Sequence, residues 1–285
     1  MGTAARRLAV LLPLALAGVS LAPRLAAQSQ YSVEVKAGAP ASDPRAAEVP
    51  FGPGERLEYQ VKLGVFSAGE GFMAVEGVDT IRGQPTYRLA LQLKGGMLFA
   101  KVDDKYKSWL TTRDLISLHF IKDVKEVTYK SFKEWAIYPE ERRWQQLDEN
   151  HAESMEAAQP LDELSMLFWI RTLPLEVGET YTLNRYFMNK SNPVVIKVLR
   201  KELKKVPAGE FNTIVVQPIV KSGGLFGEGG KAELYFTDDA ARLLVYMRSE
   251  IPGLKSITLH LRKAQAGTPL FEPATGVAQV GAAGR

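Results

Sequence analysis

The chain has 285 residues, of which 46% are hydrophobic and 24% are charged, and its formal net charge is +4. It contains no cysteine, which excludes disulfides, thiolate metal sites, a cysteine nucleophile and lipid attachment at a signal-peptide cysteine. Its three histidines lie far apart in the sequence, so neither a metal site nor any cofactor is predicted.

The start of the chain has the pattern of an export signal. Arg6 and Arg7 precede an apolar run over residues 8–22, and Ala26 and Ala27 supply the small side chains that a signal peptidase requires. The run is shorter than the about 20 apolar residues that span a bilayer. The sequence therefore predicts a cleavable signal peptide and a periplasmic or secreted mature protein with no transmembrane segment.

The charge balance changes once this signal is removed. Arg6, Arg7 and Arg24 all belong to it, so the mature chain is close to neutral. A near-neutral surface lacks the basic excess that is typical of nucleic-acid-binding proteins, and no nucleic-acid partner is predicted.

Composition divides the chain into four segments. A signal peptide at 1–27 precedes a flexible leader at 28–53, which is rich in Ala, Ser and Pro and has no hydrophobic period. Residues 54–263 are predicted to form a single β-rich domain, and residues 264–285, rich in Gly, Ala and Pro, a disordered tail. About 260 residues remain after cleavage, which is enough for a sizeable core.

Within the mature domain, apolar and polar residues alternate with a period of two. The clearest run extends from Leu57 to Val65, and similar runs occupy residues 87–93 and 232–236. Such alternation is typical of strands with one buried face and one solvent-exposed face. Turn residues separate about a dozen of these runs, mostly at hairpin spacing, which predicts an antiparallel sheet.

One segment has helical spacing instead. Pro160, Asp162 and Glu163 are typical of a helix start, and apolar residues then recur on most sides until Pro174. A helix that is apolar on most sides is expected to be buried. The predicted fold is mainly β: a strongly curved antiparallel sheet, or an open barrel, wrapped against one central α-helix of about three turns.

Three apolar residues are candidates for ligand binding. Trp169 lies on the predicted helix, beside which a groove would open wherever the helix does not fill the sheet. Leu225 and Phe226 lie in the Gly-rich segment 223–230, which lacks the hydroxyl residue and the following helix of a phosphate-binding loop. This segment is predicted to be a mobile hairpin loop, and its exposed apolar tip is a candidate contact for a lipid or a protein partner.

Two pairs of adjacent carboxylates suggest an alternative chemistry. Asp103 with Asp104, and Asp238 with Asp239, would serve as general acid and base of a hydrolase if the fold brought the pairs together. The second pair also fits a turn between strands, where Asp side chains accept bonds from nearby amides, and this interpretation is favoured. No Ser/His/Asp arrangement surrounds the histidines, so no catalytic residue is predicted.

A series of short motifs carries a family resemblance. The motifs are Gly54-Glu-Arg-Leu-Glu-Tyr59 with Ala68-Gly69, Leu164-Ser-Met-Leu-Phe-Trp-Ile-Arg171, Leu175-Glu-Val-Gly178, Val206-Pro-Ala-Gly-Glu-Phe211, Thr237-Asp-Asp-Ala-Ala-Arg242 and Ser249-Glu-Ile-Pro-Gly253. In this order they resemble the bacterial exported family called domain of unknown function 3108 (DUF3108), over residues 54–262. The resemblance implies an envelope location and a mostly β fold, and it transfers no catalytic residues because the family has no established activity.

These observations favour a non-catalytic periplasmic protein that holds an amphipathic envelope molecule, a lipid or a polysaccharide, in a groove of the curved sheet. Two competing hypotheses remain. One is a cryptic carboxylate-based hydrolase, and the other is a scaffold that binds an envelope protein through Leu225 and Phe226 or through an exposed strand edge. An open apolar groove beside Trp169 would favour ligand binding, whereas clustered carboxylates would favour hydrolysis.

Overall fold

The computed structural model describes residues 36–37, 47–97, 100–125, 129–221, 225–226, 232–250 and 256–271. The predicted signal peptide, at 1–27, lies outside the described residues. Most of the predicted leader and of the predicted tail lies outside them as well.

The described chain is dominated by strands. In chain order these are β1 (Lys36–Ala37), β2 (Arg56–Leu63), β3 (Phe66–Ile81), β4 (Gln84–Met97), β5 (Ala100–Thr111), β6 (Ser117–Lys125), β7 (Lys130–Tyr138), β8 (Arg143–Gln146), β9 (His151–Ser154), β10 (Thr180–Leu183), β11 (Val194–Val206), β12 (Gly209–Ile219), β13 (Ala232–Thr237), β14 (Leu244–Ser249) and β15 (Ile257–Gln265). A single α-helix in this part of the chain, α1 (Glu163–Ile170), joins the two groups of strands, and a 3-10 helix covers Asn189–Ser191.

All the described strands belong to one antiparallel sheet. Its order is β10-β11-β12-β13-β14-β15-β2-β3-β4-β5-β6-β7-β8-β9, and β1 pairs with β3 outside this path. The sheet is open, because β9 and β10 are its two ends. The prediction of a mainly β, antiparallel fold is confirmed. The described residues form 15 strands rather than about a dozen, since four-residue strands such as β8, β9 and β10 are too short to show an alternating pattern.

The alternating sequence gives the sheet one buried face. On β2, Leu57 and Tyr59 are fully buried, whereas Arg56 and Glu58 point to the other side and pair with each other at 3.3 Å. Buried apolar residues of most other strands and of α1 join the same core. The sheet face that carries this core and packs against α1 is called the inner face below.

The helix is shorter than predicted. It begins at Glu163 rather than at Pro160 and has eight residues, about two turns. The reason is its cap: Asp162 has an extended backbone, with φ −99° and ψ −178°, and forms a capping box with Ser165. Of the eight helix residues, all except Trp169 are buried, as expected for a helix that is apolar on most sides.

The Asp162 carboxylate is a buried junction between the helix and the sheet. It accepts hydrogen bonds from the backbone N–H groups of Leu164 and Ser165 at 2.8 and 2.9 Å. It also accepts hydrogen bonds from the hydroxyl of Ser108 on β5 at 2.6 Å and from that of Ser117 on β6 at 2.5 Å. Burial raises the pKa of the Asp162 carboxyl, and the hydrogen bonds from the serines oppose that shift. The start of α1 is therefore fixed against two neighbouring strands.

The other end of the helix is fixed by a buried ion pair. The guanidinium of Arg171, directly after α1, donates to both oxygens of Glu55 at 2.6 and 2.9 Å. It also donates to the carbonyls of Pro50 at 3.1 Å and of Ala241 at 3.0 Å. Its side chain is 0% exposed. Arg171 thus connects the helix to the segment before β2 and to the turn between β13 and β14.

The prediction of a flexible leader up to residue 53 is wrong for the last residues of that segment. Phe51 is 1% exposed and its ring makes edge contacts with Tyr87 and Phe168, with centroids 5.4 and 5.1 Å away. Leu270, in the predicted tail, is also 1% exposed. Composition alone classed both segments as flexible because they lack a hydrophobic period, although single apolar side chains anchor them.

The same two segments also meet through their backbones. The N–H of Thr268 donates to the carbonyl of Pro53 at 2.9 Å. A Cβ at Gly52 would lie 2.1 Å from the Thr268 carbonyl oxygen, and one at Gly267 would lie 2.1 Å from that of Gly52. Only glycine allows this close crossing. The packed domain therefore includes residues 47–53 and 264–271, outside the predicted limits of 54 and 263.

Candidate functional site

A cavity of about 500 Å³ lies between the inner face and the helix. That volume falls within the range of about 300–1,000 Å³ that is typical of small-molecule sites. Most of its wall is apolar and comes from both halves of the sheet, from the helix and from the segment after it. Its main apolar residues are Tyr59, Met73, Leu91, Leu93, Phe120, Trp135, Leu167, Phe187, Leu244, Met247 and Leu259.

Strand register explains why this wall changes from apolar to polar. One row across β6 and β7 places Phe120 opposite Trp135, and the rings of these residues stack with centroids 5.3 Å apart. The next inward-facing row places Lys122 opposite Lys133. Because side chains two residues apart share a face, the aromatic row and the charged row are neighbours in the same wall.

Glu163 is the centre of the polar part of the cavity. Its carboxylate accepts hydrogen bonds from the ammonium of Lys122 at 3.1 and 3.3 Å, from the backbone N–H of Leu225 at 3.1 Å and from the hydroxyl of Tyr186 at 3.4 Å. The Lys122 ammonium also lies 5.3 Å from the ring centroid of Tyr106. The charge of Lys122 is thus neutralised inside the site.

Three other charged residues line the cavity. Asp104, which is 8% exposed, accepts the backbone N–H of Lys125 at 3.0 Å. Lys133 is half-buried and Lys190 is exposed. Neither of these lysines forms an ion pair or a hydrogen bond with the part of the chain that the structure describes. The charged side chains of the described wall are therefore three lysines and two carboxylates.

The prediction that Leu225 and Phe226 form an exposed tip is wrong. They are 8% and 2% exposed, respectively, and both belong to the main core. The reason is the hydrogen bond from the Leu225 N–H to Glu163, which draws this part of the loop against the helix. Leu225 lines the cavity, and Phe226 is buried behind it. The flanking residues 222–224 and 227–231 lie outside the described part of the chain.

The structure also places Trp169 away from the cavity. The side chain of Trp169 is half-buried and lies under the guanidinium of Arg185, whose central carbon is 4.6 Å from the ring centroid. Arg185 in turn donates to the carbonyls of Gln159 and Leu115. Trp169 is therefore part of a structural cation–π contact, and Trp135 is the tryptophan that lines the cavity.

The four aspartates are not brought together. Asp103 accepts the amide of Gln92 at 2.6 Å, and this hydrogen bond lowers the pKa of Asp103. Its neighbour Asp104 points to the cavity. Asp238 pairs with Lys201 at 2.7 Å, and Asp239 caps the turn after β13. Of the four aspartates only Asp104 lines the cavity, so the cavity does not bring the two pairs together as a shared acid and base.

The residues that sequence reasoning missed are Lys122, Lys133 and Glu163. The signal for the two lysines was present, because each lies two residues from an aromatic residue of the same wall, Phe120 or Trp135. Glu163 was recognised only as a residue of the helix start. Its role depends on contacts with residues 41 and 62 positions away in the chain, which no local pattern shows.

His260, on β15, is half-buried, and no acidic side chain of the described residues pairs with it. It lies against the ring of Tyr246 and 2.9 Å from the hydroxyl of Thr258. Burial, together with the positive charges of Lys62 and Lys204, lowers the pKa of His260 to about 4.

This lowered pKa predicts a pH-dependent contribution to stability. Between pH about 4 and about 6.5 the unfolded chain binds a proton at His260 that the folded chain does not, so the free energy of unfolding rises with pH in this window. The rise should be shallower in His260→Gln, as measured by urea unfolding. A titration of the His260 ring by NMR with a midpoint near 6.5 would contradict the prediction.

Among the described residues, no group of three or more His, Asp or Glu side chains is arranged to hold a metal ion. In the same part of the chain, no helix has the length and hydrophobicity needed to cross a bilayer.

The fold and the cavity define a mainly β protein with an internal site of ligand size. The sequence profile of the family described as "Protein of unknown function (DUF3108)" matches residues 58–262. The chain belongs to the DUF3108 family.

Two further comparisons concern solved structures and curated proteins. A crystal structure described as a β-barrel-like protein of domain of unknown function DUF1849, from Brucella abortus, is similar, with a TM-score of 0.48 and 9% identity. The similarity covers 74% of this chain and 97% of that chain. A comparison with curated proteins finds no match.

Proposed function

We propose that this protein is a non-catalytic binding protein of the bacterial periplasm that holds an amphipathic envelope molecule in the cavity of its inner face. In this proposal the export signal directs the chain to the envelope, and the sheet curves around α1 so that the uncovered part of its inner face becomes the binding site. The observation that carries the proposal is the cavity of about 500 Å³ with a mostly apolar wall and a few grouped polar side chains.

The chemistry of the wall favours a lipid over a polysaccharide. Sugars need many polar partners, whereas the described wall is mostly apolar and two of its charged groups, Lys122 and Glu163, already bond to each other. The rings of Trp135, Phe120 and Phe187 pack against one another, with centroids 5.3 to 6.4 Å apart. An acyl chain is the part of an envelope molecule that such a surface excludes from water most effectively.

The alternatives receive less support. A hydrolase would need Asp103, Asp104, Asp238 and Asp239 in one cleft, and these residues lie in separate places. A scaffold that binds through Leu225 and Phe226 would need these side chains exposed, and both are buried.

Tryptophan quenching by a brominated acyl chain tests the proposed site. Dibromostearate bound in the cavity should quench the fluorescence of Trp135, because bromine quenches indoles that it contacts. Trp135→Phe should therefore lose most of the quenching, whereas Trp169→Phe should retain it. Unbrominated stearate serves as the control for nonspecific changes, and circular dichroism confirms that both variants are folded. Equal loss in the two variants, or no quenching of the wild type, would contradict the proposal.

A further inference from the structure

The cavity wall contains several charged side chains. Lys122 and Lys133 lie directly opposite each other on β6 and β7, and both point into the cavity. Like charges in directly opposite positions of a sheet destabilise it unless a counter-charge is present. Glu163 supplies that counter-charge for Lys122 through bonds of 3.1 and 3.3 Å.

Lys133 has no such partner in the described part of the chain. Lys190, on the 3-10 helix at Asn189–Ser191, lines the same cavity and is also unpaired there. The second acidic residue of the wall, Asp104, accepts the Lys125 N–H at 3.0 Å. With three lysines against two carboxylates, the described wall has one cation in excess. A half-buried ammonium beside an aromatic wall is complementary to a ligand with an anionic group next to an apolar chain.

We infer that the ligand is an amphiphile with an anionic head, which Lys133 and Lys190 bind while its acyl chain occupies the apolar part of the cavity. This inference rests on the proposed function. It adds that the charge of the head contributes to affinity, so an uncharged molecule with the same chain binds more weakly.

A fluorescent fatty acid and its ester separate the two contributions. The polyene cis-parinaric acid carries a carboxylate, and its methyl ester has the same chain without the charge. The acid is expected to bind the wild-type chain about tenfold more tightly than the ester, which corresponds to about 1.4 kcal/mol. High salt should weaken binding of the acid and leave that of the ester unchanged.

Variants of Lys133 and Lys190 test whether these residues cause the preference for the acid over the ester. The double variant Lys133→Gln with Lys190→Gln should bind the acid no more than about twofold more tightly than the ester. Lys130→Gln is the matched control, because Lys130 lies on the same strand but is exposed and does not line the cavity. It should keep the full preference. Ester affinity should be the same in all variants, which also shows that the site is intact.

The outcomes of these experiments distinguish a failure of this inference from a failure of the proposed function on which it rests. If both probes bind equally, the anionic head is wrong, and if the double variant keeps the preference, the assignment of the head to Lys133 and Lys190 is wrong. Ligand binding stands in both cases. If neither probe binds, both proposals fail. Displacement of the bound acid by dodecanoate or by dodecyl phosphate identifies a carboxylate or a phosphate head, and equal displacement by uncharged dodecanol would overturn the inference.

Discussion

Replacement of Arg171 by Met is expected to lower the free energy of unfolding by about 3–5 kcal/mol. Methionine fills much of the same space but leaves the carboxylate of Glu55, 3% exposed, without a counter-charge inside the protein. The carbonyls of Pro50 and Ala241 also lose a donor. Because small domains are stable by only about 5–15 kcal/mol, this is a large part of the total. Urea unfolding followed by circular dichroism measures the change.

Two further variants separate the buried charge from the loss of contacts. Arg113→Met removes an exposed ion pair of 3.9 Å with Asp114, and it should change stability by no more than about 0.5 kcal/mol. The double variant Glu55→Leu with Arg171→Met should be more stable than Arg171→Met alone, since no unpaired charge remains. A double variant as unstable as the sum of the single ones would show that the ion pair is not the cause.

The ion pair also shows what a single sequence reveals and what it conceals. Glu55, Arg171 and Ala241 belong to three of the motifs by which the family was recognised, so sequence reasoning selected these segments correctly. It could not show that they meet, because Glu55 and Arg171 are 116 positions apart. A contact of that kind depends on the strand order of the whole sheet.

Most of the fold could be predicted from the alternation of apolar and polar residues. It predicted the antiparallel sheet and its buried face, and the helix was located by its spacing and its acidic start. The cavity was beyond such patterns, because its volume depends on how completely the side chains of α1 and of both sheet halves fill the space between them. The same pattern analysis placed Trp169 at the site, although the indole that lines the cavity is Trp135.

The loop residues show a different limit. Glycines around Leu225 and Phe226 indicated an exposed tip, since glycine favours turns. The backbone N–H of Leu225 instead bonds to Glu163, and this contact to a residue 62 positions earlier buries both side chains. Local composition does not determine which surface such a segment covers.

Filling the cavity is expected to abolish ligand retention. Leu93 is half-buried in the wall on β4, and Met247 lines it from β14, so Leu93→Trp with Met247→Trp places two indoles in the binding space from different strands. Both substitutions extend into the cavity, so the destabilisation should stay below the about 1–3 kcal/mol typical of overpacked cores. The retained ligand should fall at least about tenfold, the equivalent of about 1.4 kcal/mol in binding.

A matched variant adds the same two side chains outside the cavity. Leu203 and Val177 are 62% and 51% exposed, and neither lines the site. Leu203→Trp with Val177→Trp should therefore retain ligand as the wild type does. Equal melting temperatures of the two double variants would show that a difference in ligand comes from the cavity and not from unfolding.

The native mass spectrum of the protein as purified from cells tests the binding site most directly. We predict a discrete adduct with the mass of an amphiphile on the wild type and on the variant with exposed tryptophans, and its loss from the variant with the filled cavity. A wild-type protein that carries no adduct and takes up no added palmitate, or a filled variant with the same adduct as the wild type, would contradict a ligand-binding cavity.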